Sequence, residues 1–176
     1  MKCAVFLDRD GVIIRTFVRE GKPYPPACLS EVEILPKVKL ALNNLKAAGY
    51  LLIVVTNQPD VATGKTPKFV VDQVNKFLGD SLPIDEIRTC YHEDKDGCKC
   101  RKPFPGLLLD AAKDHQINLK GSFMIGDRWR DIEAGSVAGC KTFFINYGYQ
   151  EKQPDFPDFI VSSLAEAAQI IIGEFS

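Results

Sequence analysis

An excess of charge of either sign is missing from this sequence. Its 22 Lys and Arg stand against 23 Asp and Glu, a formal net charge of −1. Nothing therefore points to nucleic acid or an anionic membrane surface as a partner. No apolar run approaches the ~20 residues that cross a bilayer. The apolar start, Cys3–Leu7, is broken by Asp8-Arg9-Asp10 too early for the core of an export signal. Internal repeats and low-complexity tracts are absent as well. These absences lead us to expect a cytoplasmic chain with no membrane and no nucleic-acid partner, and a monomer. The six cysteines then read as thiols or metal ligands rather than disulfides.

What is present has the size and pattern of one α/β domain. The 176 residues are 45% hydrophobic and 26% charged, ordinary for a globular chain that can bury a substantial core. Apolar strand-like runs recur at Ala4–Leu7, Leu51–Val55, Ile87–Cys90, Phe123–Ile125 and Thr142–Ile145. Helical patterns fill the intervals: Lys37–Ala48 between Pro36 and Gly49, about Lys68–Leu78 after Thr66-Pro67, Gly106–His115, Asp131 to Gly139, and a last helix from Ser163, opened by a capping box with Glu166. Alternation of strand and helix predicts a Rossmann-like parallel sheet with helices on both faces. The reading is of a single domain over 1–176 with no large cap domain. Two stretches are irregular: Arg15–Leu35, a candidate flap, and Glu93–Pro105. Loops this long in a compact domain usually serve function.

The first strand runs into Asp8-Arg9-Asp10-Gly11. A strand ending in Asp-x-Asp-Gly delivers acids to the carboxyl edge of the sheet, where open α/β sheets bind ligands. Alternation along an extended chain predicts Asp8 and Asp10 on one side. Such a pair can share a divalent cation or divide into nucleophile and acid/base, or simply form a surface turn. The second strand ends in Thr56-Asn57-Gln58, a hydroxyl and two amides that suit an oxyanion such as phosphate. Gly64-Lys65-Thr66 mimics the tail of a phosphate-binding P-loop, but Pro59 stands where that loop needs its first glycine. The fourth strand ends in Gly126-Asp127, with Asp131 four residues on, either a helix-start acid favoured by the dipole or a metal-site residue. Asp8, Asp10 and Asp127 on one edge would repel unless a cation neutralised them, and hard oxygen ligands favour Mg²⁺.

Between the third strand and the third helix lie Cys90, His92, Cys98 and Cys100, three cysteines and one of only two histidines. These borderline-soft ligands can wrap a closed tetrahedral Zn²⁺ site over residues 90–100, one with no open position and hence structural. The competing reading is a redox thiol pair, though Cys-x-x-Cys spacing is absent. Arg101-Lys102-Pro103 follows directly; alone it would be a solvated basic pair, but a zinc-fixed loop would aim it at the acidic edge.

Together, Asp8-Arg9-Asp10-Gly11, Thr56-Asn57-Gln58, Arg101-Lys102-Pro103 and Gly126-Asp127 with Asp131 resemble, in order and over nearly the whole chain, the haloacid dehalogenase superfamily of aspartate-nucleophile phosphatases. The zinc quartet is similar to the branch holding D-glycero-D-manno-heptose 1,7-bisphosphate 7-phosphatases and histidinol-phosphate phosphatases. The resemblance implies that Asp8 attacks phosphorus and that Asp10 is the acid/base. It implies Mg²⁺ held by Asp8, Asp127 and the Asp10 carbonyl, supported from behind by Asp131. It implies phosphoryl contacts from Thr56 and Lys102, with Asn57 and Arg101 near phosphate or the substrate body. The expected substrate is a small phosphorylated sugar, a heptose bisphosphate first, with histidinol phosphate or another small phosphate ester as the alternative. A non-catalytic zinc-containing binding module is a further alternative. Two positions depart from the branch: Thr63 replaces an arginine near the substrate entrance, and Tyr91 replaces the proline usual before the zinc histidine.

Overall fold

The computed structural model describes residues 2–175. Six parallel strands form one sheet in the order β5-β4-β1-β6-β7-β8: β1 (Ala4–Leu7), β4 (Leu51–Asn57), β5 (Glu86–Cys90), β6 (Phe123–Gly126), β7 (Lys141–Ile145) and β8 (Phe159–Val161). A small antiparallel hairpin, β2 (Phe17–Arg19) and β3 (Lys22–Tyr24), stands apart from it. The helices are α1 (Val38–Ala47), α2 (Lys68–Ser81), α3 (Gly106–His115), α4 (Trp129–Ala138) and α5 (Leu164–Phe175).

Burial on both faces explains why the strands read as continuous apolar runs. Successive strand residues point to opposite faces, so Val5, Leu7, Leu52, Val54, Phe123 and Ile125 pack with α1, α2 and α5, through Leu42, Leu45, Val74, Leu78, Ala167 and Ile171. Ala4, Phe6, Ile53, Val55 and Met124 pack with α3 and α4, through Leu107, Leu108, Ala111 and Ala134. All four residues of β1 are fully buried.

β1 is central, with β4 on one side and β6 on the other. The chain's winding reverses beside it, and at such a switch point the crevice beyond the carboxyl ends of the strands is open to ligand. Asp8, Thr56-Asn57 and Asp127 emerge there from three neighbouring strands.

Element boundaries differ from the sequence reading where local sterics decide. Pro36 does not open α1; Lys37 precedes the helix in a left-handed conformation, φ 63°. α4 starts at Trp129, two residues before Asp131, whose carboxylate instead turns back to accept from the Arg128 backbone N–H at 3.0 Å. At α5 Ser163 Oγ accepts from Glu166 N, while Glu166 accepts from Ser162 rather than Ser163. Among the described residues no helix is long and apolar enough to cross a membrane.

Candidate active site

Three carboxylates meet at the switch point, and they are not the three that strand alternation predicts. Asp8, Asp127 and Asp131 each place a carboxylate oxygen within 4.8 Å of the others. The expected member, Asp10, turns aside. The chain leaves the strand at Leu7 and folds into a turn in which Ile13 and Ile14 donate to the Arg9 carbonyl, so period-two geometry ends before Asp10. Its carboxylate accepts from Arg9 Nε and Nη2 at 3.1–3.2 Å and from Gln58 Nε2 at 2.7 Å. Arg9 is buried and donates its Nη1 to Asn75 of α2. Asp10 therefore lines the cleft as a fixed carboxylate beside the cluster, not within it.

Glycine permits the close approach. Gly11 has φ +83°, and a Cβ there would lie 1.9 Å from Asp127 Oδ2; a Cβ on Gly126 would lie 2.1 Å from the Asp131 Cβ. Either side chain would displace an acid.

One lysine offsets the acids. Lys102 Nζ donates to Asp8 Oδ1 at 2.9 Å, Asp131 Oδ1 at 2.7 Å and the Val55 carbonyl at 2.7 Å, which uses all three of its protons. Burial works against its charge, but Asp131 and Asp8 overcome it and raise its pKa. Burial pushes the Asp131 carboxyl up to about 6, opposed by Lys102. Asp127 is held well above the usual carboxylate range by burial and by the nearby Asp8 and Asp131. Its Oδ1 is buried without a hydrogen-bond partner among the described residues. Three hard oxygen donors against one ammonium, with one oxygen orphaned, fit a divalent cation of the Mg²⁺ kind.

Of the remaining predicted residues, Asn57, Arg101 and Lys102 line the same cleft, about 190 Å³, with Asp8, Asp10 and Asp127 among others, while Thr56 lies buried and is not part of the lining. Asn57 has another task besides facing the cleft. Its amide donates to the Lys102 carbonyl at 2.9 Å and accepts from the Lys102 N–H at 3.1 Å, pinning the backbone that delivers the lysine. Thr56 is buried and accepts from Gln58 Nε2 at 2.9 Å, so its own O–H is left to donate. Arg101 Nε pairs with Asp94 at 2.8 Å, and Arg130 of α4 joins the same carboxylate at 2.9 Å. Arg128 pairs with Glu151. Arg128, Arg130 and, from the candidate flap Arg15–Leu35, Pro23, Tyr24 and Pro25 also line the cleft; the two arginines were not singled out from sequence. Thr63 is exposed and donates to the Asp60 carbonyl.

Beside the cleft, Cys90, His92, Cys98 and Cys100 converge. Their sulfurs are 3.2–3.7 Å apart, and His92 Nδ1 is 3.4–3.5 Å from Cys100 and Cys90. A tetrahedral zinc with ~2.3 Å Zn–S bonds needs sulfur separations near ~3.8 Å, whereas a disulfide needs ~2.05 Å. The quartet fits zinc and not a disulfide. Lys102 follows Cys100 by two residues.

Comparison with known proteins places this arrangement. A family model described as HAD-hydrolase-like matches residues 99–167. A D-glycero-beta-D-manno-heptose-1,7-bisphosphate 7-phosphatase of Helicobacter pylori (strain J99) is 37% identical over 78% of this chain and 79% of its own length. One of Pasteurella multocida is 33% identical over 98% of both chains. Among solved structures, a D,D-heptose 1,7-bisphosphate phosphatase from B. bronchiseptica, complexed with magnesium and phosphate, superposes with a TM-score of 0.78 at 27% identity, covering 99% of each chain.

Proposed function

The chain belongs to the haloacid-dehalogenase-like hydrolases, in the phosphatase branch of its heptose-bisphosphatase relatives, and from that premise we propose that it removes the 7-phosphate of D-glycero-D-manno-heptose 1,7-bisphosphate. The relatives are named for the beta anomer, which we take as the first substrate. The observation that carries the reading is the buried Asp8–Asp127–Asp131 cluster balanced by Lys102. Such a set is costly to bury and is suited to transferring a phosphoryl group.

In the reaction we propose, an Asp8 carboxylate oxygen forms a bond to phosphorus as the bond to the sugar oxygen breaks, giving an aspartyl phosphate. Asp10 gives its proton to the departing alkoxide, then takes one from the water that releases phosphate. Arg9 and Gln58 hold the Asp10 carboxyl group in one orientation, as acid in the first step and as carboxylate base in the second. Asp8, Asp127 and the Asp10 carbonyl would hold Mg²⁺, with Asp131 behind them; when bound, the ion neutralises charge between nucleophile and phosphate. Thr56 donates its free hydroxyl, and Lys102 its charge, to the phosphoryl oxygens. Arg101, Arg128 and Arg130 line the cleft with guanidinium groups, which suits a sugar with a second phosphate. The segment 15–35, which carries the β2–β3 hairpin, serves as a flap over the substrate, and the zinc quartet fixes the loop.

The test is phosphate release with Mg²⁺ from a panel: both anomers of the heptose bisphosphate, histidinol phosphate and simple hexose phosphates. A strong preference for one heptose anomer supports the substrate. A preference for histidinol phosphate moves it to the neighbouring activity. Full activity in Asp8→Asn would sink the nucleophile.

A further inference from the structure

The segment after β7 reaches back to the acid cluster with two phenols, and neither belongs to a motif that the sequence reading singled out. Tyr147 Oη donates to the Gly11 carbonyl at 2.9 Å. Tyr149 is only 8% exposed, and its Oη lies 2.9 Å from Asp127 Oδ2 and 3.1 Å from Thr16 Oγ1. A phenol has one proton, which Tyr149 donates to Asp127 Oδ2, so the Thr16 hydroxyl donates to the phenol oxygen. The result is a directed relay: Thr16, at the root of the β2–β3 hairpin, to Tyr149, to Asp127.

The relay acts on one oxygen. Asp127 Oδ2 is fixed by Tyr149 and presses into the space left by the missing Gly11 side chain. Oδ1 is buried and has no hydrogen-bond partner among the described residues. We propose that Tyr149 is a positioning residue of the metal site: it holds Asp127 Oδ2 so that Oδ1 is the oxygen offered to the cation, and Thr16 sets the phenol. A carboxylate buried with a free rotor would sample orientations in which Oδ1 turns away; a hydrogen bond from behind removes them. Hydrogen-bond partners of ligating carboxylates commonly set metal affinity in this way. The relay also joins hairpin and metal site through one oxygen, a link reinforced by Gln150 N donating to the Gly21 carbonyl at 2.8 Å. The inference rests on reading Asp8 and Asp127 as the Mg²⁺ ligands.

The experiment compares the full-length wild type with Tyr149→Phe, Thr16→Val and the double variant. Mg²⁺ binding is followed by calorimetry and Mn²⁺ binding by electron paramagnetic resonance. Tyr149→Phe keeps the ring that packs on Tyr147 and removes only the hydroxyl. Binding should weaken about tenfold. The melting temperature without Mg²⁺ should fall by no more than about 4 °C, the loss of one hydrogen bond. The Mg²⁺ concentration for half-maximal phosphate release should rise in step, with kcat at saturating Mg²⁺ affected less. Thr16→Val should weaken binding by a smaller factor, and by nothing further when Tyr149 is already Phe. Wild-type affinity in Tyr149→Phe overturns the proposal, and additive losses overturn the Thr16 step. If Tyr149→Phe fails to fold, Thr16→Val alone decides, unchanged binding refuting the relay. A wild type that binds neither cation overturns the metal reading itself, a separate failure.

Discussion

Replacing Lys102 with Met should separate charge from shape at the centre of the site. The side chain is about 2% exposed and its ammonium bridges Asp8 and Asp131. Methionine keeps the stem but leaves two buried acids and the Val55 carbonyl without their donor. Removing one partner of a buried ion pair costs about 3–5 kcal/mol. For a chain of this size each kcal/mol shifts the midpoint by about 2–4 °C, so the metal-free variant should melt about 6–20 °C lower. The loss has a pH signature. Asp131, already pushed up to about 6 by burial, rises further without the cation. A carboxyl raised in the folded state does no harm below its unfolded value near 4, and its full penalty is present above its folded value. The deficit against wild type should therefore be small near pH 5 and largest near pH 8. Phosphate release should fall by about 10²–10³, the usual cost of losing one preorganised electrostatic element at a developing charge. Thermal melts in Mg²⁺-free buffer from pH 5 to 8, with phosphate assays alongside, test both. A variant melting within about 2 °C of wild type at pH 8, or one fully active, would refute the electrostatic account.

Gly11→Ala should abolish cation binding, because its Cβ would lie 1.9 Å from Asp127 Oδ2 at φ +83°; calorimetry reads this directly, and normal Mg²⁺ affinity would show that Asp127 can move without loss. Asp127 is raised by burial and by Asp8 and Asp131, so metal-free stability falls as pH rises above about 4. Saturating Mg²⁺ should accordingly raise the melting temperature more at pH 8 than at pH 5, and an equal gain at both would contradict it. Cys98→Ser should bind less zinc, melt lower and expose the 98–105 loop to protease; an unchanged melting temperature on verified zinc loss would break the link. Asn57→Ala removes both bonds to the Lys102 backbone and should cost about 1–3 kcal/mol, read by denaturant unfolding, together with a fall in kcat.

The parallel sheet was legible because buried strands and capped helices carry local signals: strand-like runs of three to five residues, and the polar residues that end them. Asp8 and Asp127 were legible for the same reason, as acids where an apolar run stops. Asp10 shows the limit of that logic. Period-two reasoning holds only while the chain is extended, and the turn at Arg9 sends the Asp10 carboxylate to Arg9 and Gln58 instead. Asp131 was ambiguous between helix start and metal site, and the ambiguity is physical. One oxygen accepts from Arg128 N while the other accepts from Lys102. The hairpin was hidden because its three-residue strands include Pro23 and are largely exposed. Tyr149 was invisible, since a tyrosine in a loop has no spacing that marks it; its importance comes wholly from the tertiary approach of Thr16 and Asp127.

The architecture of the 90–102 loop follows from the difficulty of burying an ammonium. A lysine on a free loop would keep its charge in water, where solvation is best. To hold Lys102 among the acids, the backbone that carries it must not relax outward. It is restrained from several sides: the Cys98 and Cys100 sulfurs lie within the Cys90–His92–Cys98–Cys100 cluster, Asn57 grips both backbone groups of Lys102, and Gly106 N donates to the Lys99 carbonyl at 3.1 Å. Asp94 adds a further clasp by holding Arg101 and Arg130 together. A cluster in which one lysine faces three acids is still short of positive charge, so the folded chain without a cation stores an electrostatic cost that ligand relieves. The rigidity that keeps Lys102 in place is what prevents the protein from relieving that cost by unfolding the loop instead. On this argument a zinc-depleted protein should lose Lys102 from the cluster before it loses the sheet, and its Mg²⁺ affinity should change while the α/β core still melts cooperatively.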